Sequence, residues 1–105
     1  MSVYKAPQKE LSFILEELVG YDEHCKMPGY EEASSDMVQA ILPEAARFFE
    51  EVVAPTNWAC NEQAAHLDNG KVITSPALDG VYEQMVAGGW GCLSGDSDYA
   101  GAGFP

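Results

Sequence analysis

The 105-residue sequence predicts an all-α protein. Three segments repeat apolar residues at helical spacing, and the β-prone residues gather in one short run beside a turn signal. No internal repeat, low-complexity tract or linker interrupts them.

The first stripe is Leu11, Ile14, Leu15, Leu18 and Val19, which follow the i, i+3, i+4, i+7, i+8 template of a helix with one apolar face. Pro7 is placed to open this helix, because its missing N–H is not needed in a first turn, and Gly20 is placed to close it.

The second stripe is longer: Val38, Ile41, Leu42, Ala45, Phe48, Phe49, Val52 and Val53. Asp36, Glu44, Arg47, Glu50 and Glu51 fall mostly on its other side, so this helix is amphipathic. Ser34 or Ser35 can cap it. Pro55 should stop it, since the residue before a proline is pushed out of helical space. Pro43 lies inside the stripe and removes one helical hydrogen bond, which predicts a kink or break near Leu42.

The stretch "LDNGKVITSP" joins an Asp-Asn-Gly turn to Val72-Ile73-Thr74, which predicts a small turn or hairpin around 68–74. The third stripe follows as Leu78, Val81, Tyr82, Met85 and Val86, with Thr74 or Ser75 as cap, Pro76 in the first turn and Gly88-Gly89 at the end. Each stripe is stable only when its apolar side is covered, so the three are expected to face one another.

Composition narrows the functions. Hydrophobic residues make up 47% of the chain and charged residues 21%, enough apolar material to exclude wholesale disorder. The formal charge of −12 argues against nucleic acid or an anionic membrane surface as partner. The first seven residues hold no apolar run long enough for a secretory leader, and no segment is long enough to span a bilayer. Cys25, Cys60 and Cys92 are an odd number at unpaired spacing, as expected of the reducing cytoplasm.

Candidate chemistry is sparse. Gly101-Ala102-Gly103 resembles a phosphate loop only in composition: it lacks a following helix and a neighbouring lysine, and acids surround it. "YDEHC" packs Asp22, Glu23, His24 and Cys25 together, but adjacent residues point apart, so a solvated loop is expected rather than a metal site. The pairs Glu16-Glu17, Glu31-Glu32 and Glu50-Glu51 read as solvated helix faces rather than general bases. Phe48 and Phe49 read as core, and Trp90, after two glycines, as a ring that seals a loop against the helices. No serine stands in a nucleophile-elbow context.

Four stretches carry a resemblance. "YKAP" (residues 4–7), "EAARFFEEVVAP" (44–55), "GGWGCL" (88–93) and "YAGAGFP" (99–105), in this order and spacing, resemble the opening of flavin-dependent acyl-CoA dehydrogenases. The likeness covers essentially the whole chain and is greatest to the larger bacterial branch, which starts with a Tyr-Lys-Ala-Pro type of segment and includes enzymes for methylthio-alkanoyl-CoA thioesters. Family members tend to have Gly-Gly where this chain has Ala100-Gly101, and Pro43 stands where a helix former is usual.

The resemblance implies an incomplete helical N-terminal domain of the acyl-CoA dehydrogenase type, with 1–30 as an extension segment carrying one helix and 31–105 as the partial domain. It also implies that the glycine-rich loop is internal to a longer enzyme, with a β-domain and a second helical bundle following. In that complete enzyme a glutamate of the C-terminal bundle would take the α-proton while a hydride passes from the β-carbon to FAD. Acyl-CoA, an electron-transfer partner and a homo-oligomer are implied only there. For these residues the expectation is no catalytic, cofactor-binding or metal residue, no bound FAD and no activity alone. Two other readings compete: a free-standing acidic helical module that binds a protein, and a small metal or thiol protein resting on His24 and Cys25.

Overall fold

A computed structural model describes residues 3–105 and is mostly helical. Helix α1 (Gln8–Phe13) continues into a π-helical segment, Ile14–Val19, and ends at Gly20. The Gly20 N–H donates five residues back to the Leu15 carbonyl, and Gly20 itself is left-handed (φ 68°), which only glycine adopts without steric cost. A single helical turn follows as α2 (Tyr21–Cys25).

Helix α3 (Ser35–Phe48) is capped by Ser34, whose hydroxyl accepts from the Met37 N–H at 3.3 Å. It runs through Pro43 as one helix, so of the kink or break expected near Leu42 the break does not occur. Its register holds because the cost of one lost hydrogen bond is offset by packing on either side of the proline. α3 also continues into a π-helical segment, Phe49–Val53, with Ala54 N–H bonded to Phe49 O at 2.8 Å.

The helical run ends at Val53, as expected of Pro55, but not by the expected route. Ala54 before it stays helical (φ −57°, ψ −37°), and Pro55 leads directly into α4 (Thr56–Glu62). The wider turn spares Ala54 the clash that usually drives the residue before proline out of helical space. The Thr56 hydroxyl then donates to Val53 O at 2.8 Å, satisfying one carbonyl left free at the junction.

The predicted hairpin is present. Strands β1 (His66–Asp68) and β2 (Lys71–Ile73) pair antiparallel with Leu67 opposite Val72. Asn69 (φ 46°) and Gly70 (φ 77°) both lie at positive φ, as a two-residue turn matched to strand twist requires. Ser75 caps the 3₁₀ turn Pro76–Leu78 rather than α5, and α5 (Val81–Ala87) starts only after left-handed Gly80. The third stripe is therefore split between two elements.

The core is thin. Tyr21, Ala33 and Ala46 are its buried apolar residues among those described, and none of the larger side chains is fully enclosed. α1 packs on α3, where Gln39 Nε2 reaches both Ser12 Oγ (2.8 Å) and Glu16 Oε1 (2.7 Å). The third stripe does not join them as expected: Tyr82 remains 72% exposed and Val86 60%. Gly80 turns the chain so that α5 meets the body near its C-terminal end, through Trp90.

Candidate functional site

The clearest polar construction joins the N-terminal segment to the end of α3. Glu50 lies in the π-helical segment with its side chain 20% exposed. One carboxylate oxygen accepts from Lys5 Nζ at 2.8 Å and the other from the Ala6 backbone N–H at 2.9 Å. The Lys5 ammonium and that N–H hold the Glu50 carboxyl below its ordinary range, and the Glu50 carboxylate in turn raises Lys5, with Glu51 adding to the field. Beside this clamp, Tyr4, Ala54, Pro55, Asn57 and Trp58 line a mostly apolar cleft of about 440 Å³.

Glu50 was expected on a solvated face. Nothing local in the sequence links it to Lys5, 45 positions away; the contact depends on where the wider turn points the side chain.

The glycine-rich loop closes on itself. Gly101 N–H donates to Asp96 O, Ala102 to Cys92 O, Gly103 to Gly95 O and Phe104 to Leu93 O, each at 2.9 Å. Asp98 N–H is taken by the Asp96 carboxylate, which caps the 3₁₀ turn Ser97–Tyr99. These amides are occupied by the loop's own carbonyls and so cannot form a cradle for a phosphate. Two positions have special demands. Gly101 lies so close to the Gly95 backbone that a Cβ there would run into its carbonyl group, and Ala100 adopts a left-handed conformation, φ 64°.

The "YDEHC" stretch is helix α2, not the solvated loop expected of it. It forms because Tyr21 is drawn inside, 6% exposed, while Asp22 and Glu23 remain in water. Cys25 Sγ donates to Ala33 O, and His24 Nδ1 sits 3.2 Å from Gly20 O. Burial, with Cys25 as a neighbour, pushes the Tyr21 phenol up to about 12, and its hydroxyl has no hydrogen-bond partner. His66 is on β1, exposed and away from this cluster in sequence. Among the described residues no three His, Cys, Asp or Glu side chains converge as metal ligands do.

Three other carboxylates serve local structure. Glu31 accepts from the Gly29 N–H through both oxygens, and its own backbone N–H followed by that of Gly29 lowers its carboxyl; Glu23 and Glu44 pair with Lys26 and Arg47, three positions on. Trp90 stacks on Phe48, as expected of a sealing ring, but Phe49 is 41% exposed and is not core here. Among the described residues no helix is long and apolar enough to cross a membrane.

What the arrangement offers most plainly is surface. The chain exposes 7932 Å², whereas a compact monomer of its mass exposes about 5,800 Å². Leu18, Leu67, Val72, Tyr82 and Val86 are all at least 60% exposed. Such a distribution defines a helical part that covers little of its own apolar surface.

The chain is related in sequence to the acyl-CoA dehydrogenases. It is 31% identical over 102 residues to the 3-methylmercaptopropionyl-CoA dehydrogenase of Ruegeria pomeroyi, and the matched region is 97% of this chain but 17% of that protein. The chain thus spans under a fifth of the length of the curated relative it matches. No protein-family model matches it.

Proposed function

We propose that these residues are the N-terminal helical part of an acyl-CoA dehydrogenase, with 1–30 as an extension and 31–105 as part of the first helical domain. Residues 1 and 2 lie outside the described residues; residues 3–30 carry the clamped segment, α1 and α2. The complete enzyme would oxidise the α,β C–C bond of an acyl-CoA and pass a hydride to FAD in the cytoplasm. The observation that carries this reading is the likeness over 97% of the chain to only 17% of the relative. The uncovered apolar surface agrees with it, because a later portion of the polypeptide would cover such a surface.

The residues present do not fit FAD by themselves. The glycine loop's amides are occupied, and of the five cations Lys5, Lys26 and Arg47 already pair with carboxylates. No step of the redox chemistry is therefore assigned to this chain, whose contribution is scaffold.

The intact mass of the native gene product tests the reading. A product far above 11.4 kDa that is yellow and reduces an electron acceptor with an acyl-CoA supports it. A native product of 11.4 kDa that is a stable, colourless monomer would overturn it in favour of the free-standing interaction module.

A further inference from the structure

We infer that residues 3–7 form a separable strap, fastened over the end of α3 by the Glu50 carboxylate and released when that single charge is neutralised or screened. Nothing in the proposed redox role requires such a device, so the inference stands apart from that reading.

Three observations support it. First, the strap is irregular and exposed: Val3 is 82% and Tyr4 47% exposed, and helix α1 begins only at Gln8. It has no regular backbone pairing of its own. Second, its non-local hydrogen bonds, among the described residues, are the two from Lys5 Nζ and Ala6 N–H, and both end on Glu50. Both oxygens of one side chain therefore hold a segment 44 and 45 positions away. Third, Tyr4 shares a groove with Phe49, Val53, Ala54 and Asn57. Release of the strap would take Tyr4 off that groove and uncover more of Phe49 and Val53.

The charges around the latch set its sign. Lys5 and Glu51 are the charged groups that act on it beside Glu50, and the Ala6 amide adds a neutral donor. Glu50 titrates below an unpaired glutamate, so the latch is complete at neutral pH. It is lost as pH falls through the folded-state value of Glu50. Lys5 titrates above an unpaired lysine and keeps its charge through that window. The ion pair is reached by solvent, so salt weakens it too.

The Lys5–Ala6 bond is itself a trypsin site, which provides a direct readout. In the intact native gene product at neutral pH, mass spectrometry would follow scission of the Lys5–Ala6 bond. Glu50→Gln is expected to speed this cleavage about fivefold, the scale of an exposed charge-assisted clamp. Glu51→Gln, an equal change of charge one residue away, should leave it near the wild-type rate. Raising salt from 0.1 to 1 M should accelerate cleavage in the wild type and in Glu51→Gln but add little in Glu50→Gln. Equal rates in wild type and Glu50→Gln would overturn the inference. So would an equal acceleration in the two variants, which would reduce the latch to a general effect of surface charge.

Discussion

The indole of Trp90 stacks on the ring of Phe48, with centroids 5.9 Å apart and an interplanar angle of 25°. This contact ties the end of α5 to α3. It is built by the glycines before the tryptophan: Gly89 is left-handed (φ 71°), and its N–H bonds to Val86 O at 3.0 Å while Trp90 N–H bonds to Met85 O at 3.2 Å. That pair of bonds is the Schellman helix ending, and it points the next residue back across the helix. Gly88 is needed for space, because a Cβ there would meet the Trp90 ring at 2.7 Å.

Trp90→Ala should therefore detach α5, at a cost of roughly 2–3 kcal/mol for a half-buried stacked ring. Trp90→Phe, which keeps an aromatic face, should cost only about 1 kcal/mol. Urea unfolding of the intact product measures both. Equal midpoints for the two variants would mean that the stacking contributes nothing beyond bulk.

Ala100 and Gly101 make opposite demands on adjacent positions. Ala100 is left-handed with a Cβ present, and Gly101 has no room for one. Relief of the left-handed strain is worth about 1–2 kcal/mol, and the extra unfolded-state freedom of glycine takes back about 0.4–1 kcal/mol. Ala100→Gly should thus tighten the loop by about 0.5–1 kcal/mol, whereas Gly101→Ala should loosen it by roughly 2–3 kcal/mol through overpacking. Deuterium uptake at the amides of residues 101–104 reports each change. Faster exchange in Ala100→Gly would show that the alanine is not strained.

Tyr21 makes the fold sensitive to alkali. Its phenol is raised to about 12 by burial, so near pH 10 the unfolded chain releases a proton that the folded chain retains. Stability from this group is full below pH 10 and falls as pH rises toward 12. Because the hydroxyl has no partner, Tyr21→Phe should leave stability at neutral pH unchanged or raise it by up to about 1 kcal/mol. The variant should also lose part of the alkaline decline in melting temperature. A variant that melts lower at neutral pH would reveal a hydrogen bond at this hydroxyl.

The helices were legible because periodicity and caps are local signals. Gly20, Ser34 and Gly88-Gly89 mark ends that the chain uses, and Asn69-Gly70 specifies its turn by handedness alone. Pro43 misleads because packing on either side of it holds the register of α3, a tertiary effect that no spacing records. The helical angles of Ala54 before Pro55 belong to a wider turn at residues 49–53 that no spacing records either. Glu50 was hidden by the same turn. The burial of Tyr21 turned a run of polar neighbours into α2, an instance of tertiary packing overriding local polarity. The departure from Gly-Gly at Ala100 was visible in the sequence, but its meaning needed the backbone angle.

The last prediction concerns these 105 residues on their own. Their radius of gyration is 17.3 Å, against about 13 Å for a compact domain of this length. Phe49, Tyr82, Met85 and Val86 are 37–72% exposed. Each large apolar side chain left in water forgoes up to roughly 1.5–3 kcal/mol, and a domain has only about 5–15 kcal/mol in all. Three or four such losses are enough to remove cooperative packing while leaving helices in place. The isolated chain should therefore be partly molten or self-associated, although its charge of −12 opposes aggregation. Near-ultraviolet dichroism of Trp58 and Trp90 on heating, with light scattering, provides the measurement. A broad or absent transition with binding of an apolar dye is expected. A sharp, concentration-independent transition from a monomer would show that the thin core suffices, and the exposed stripe of α5 would then need a partner other than its own polypeptide.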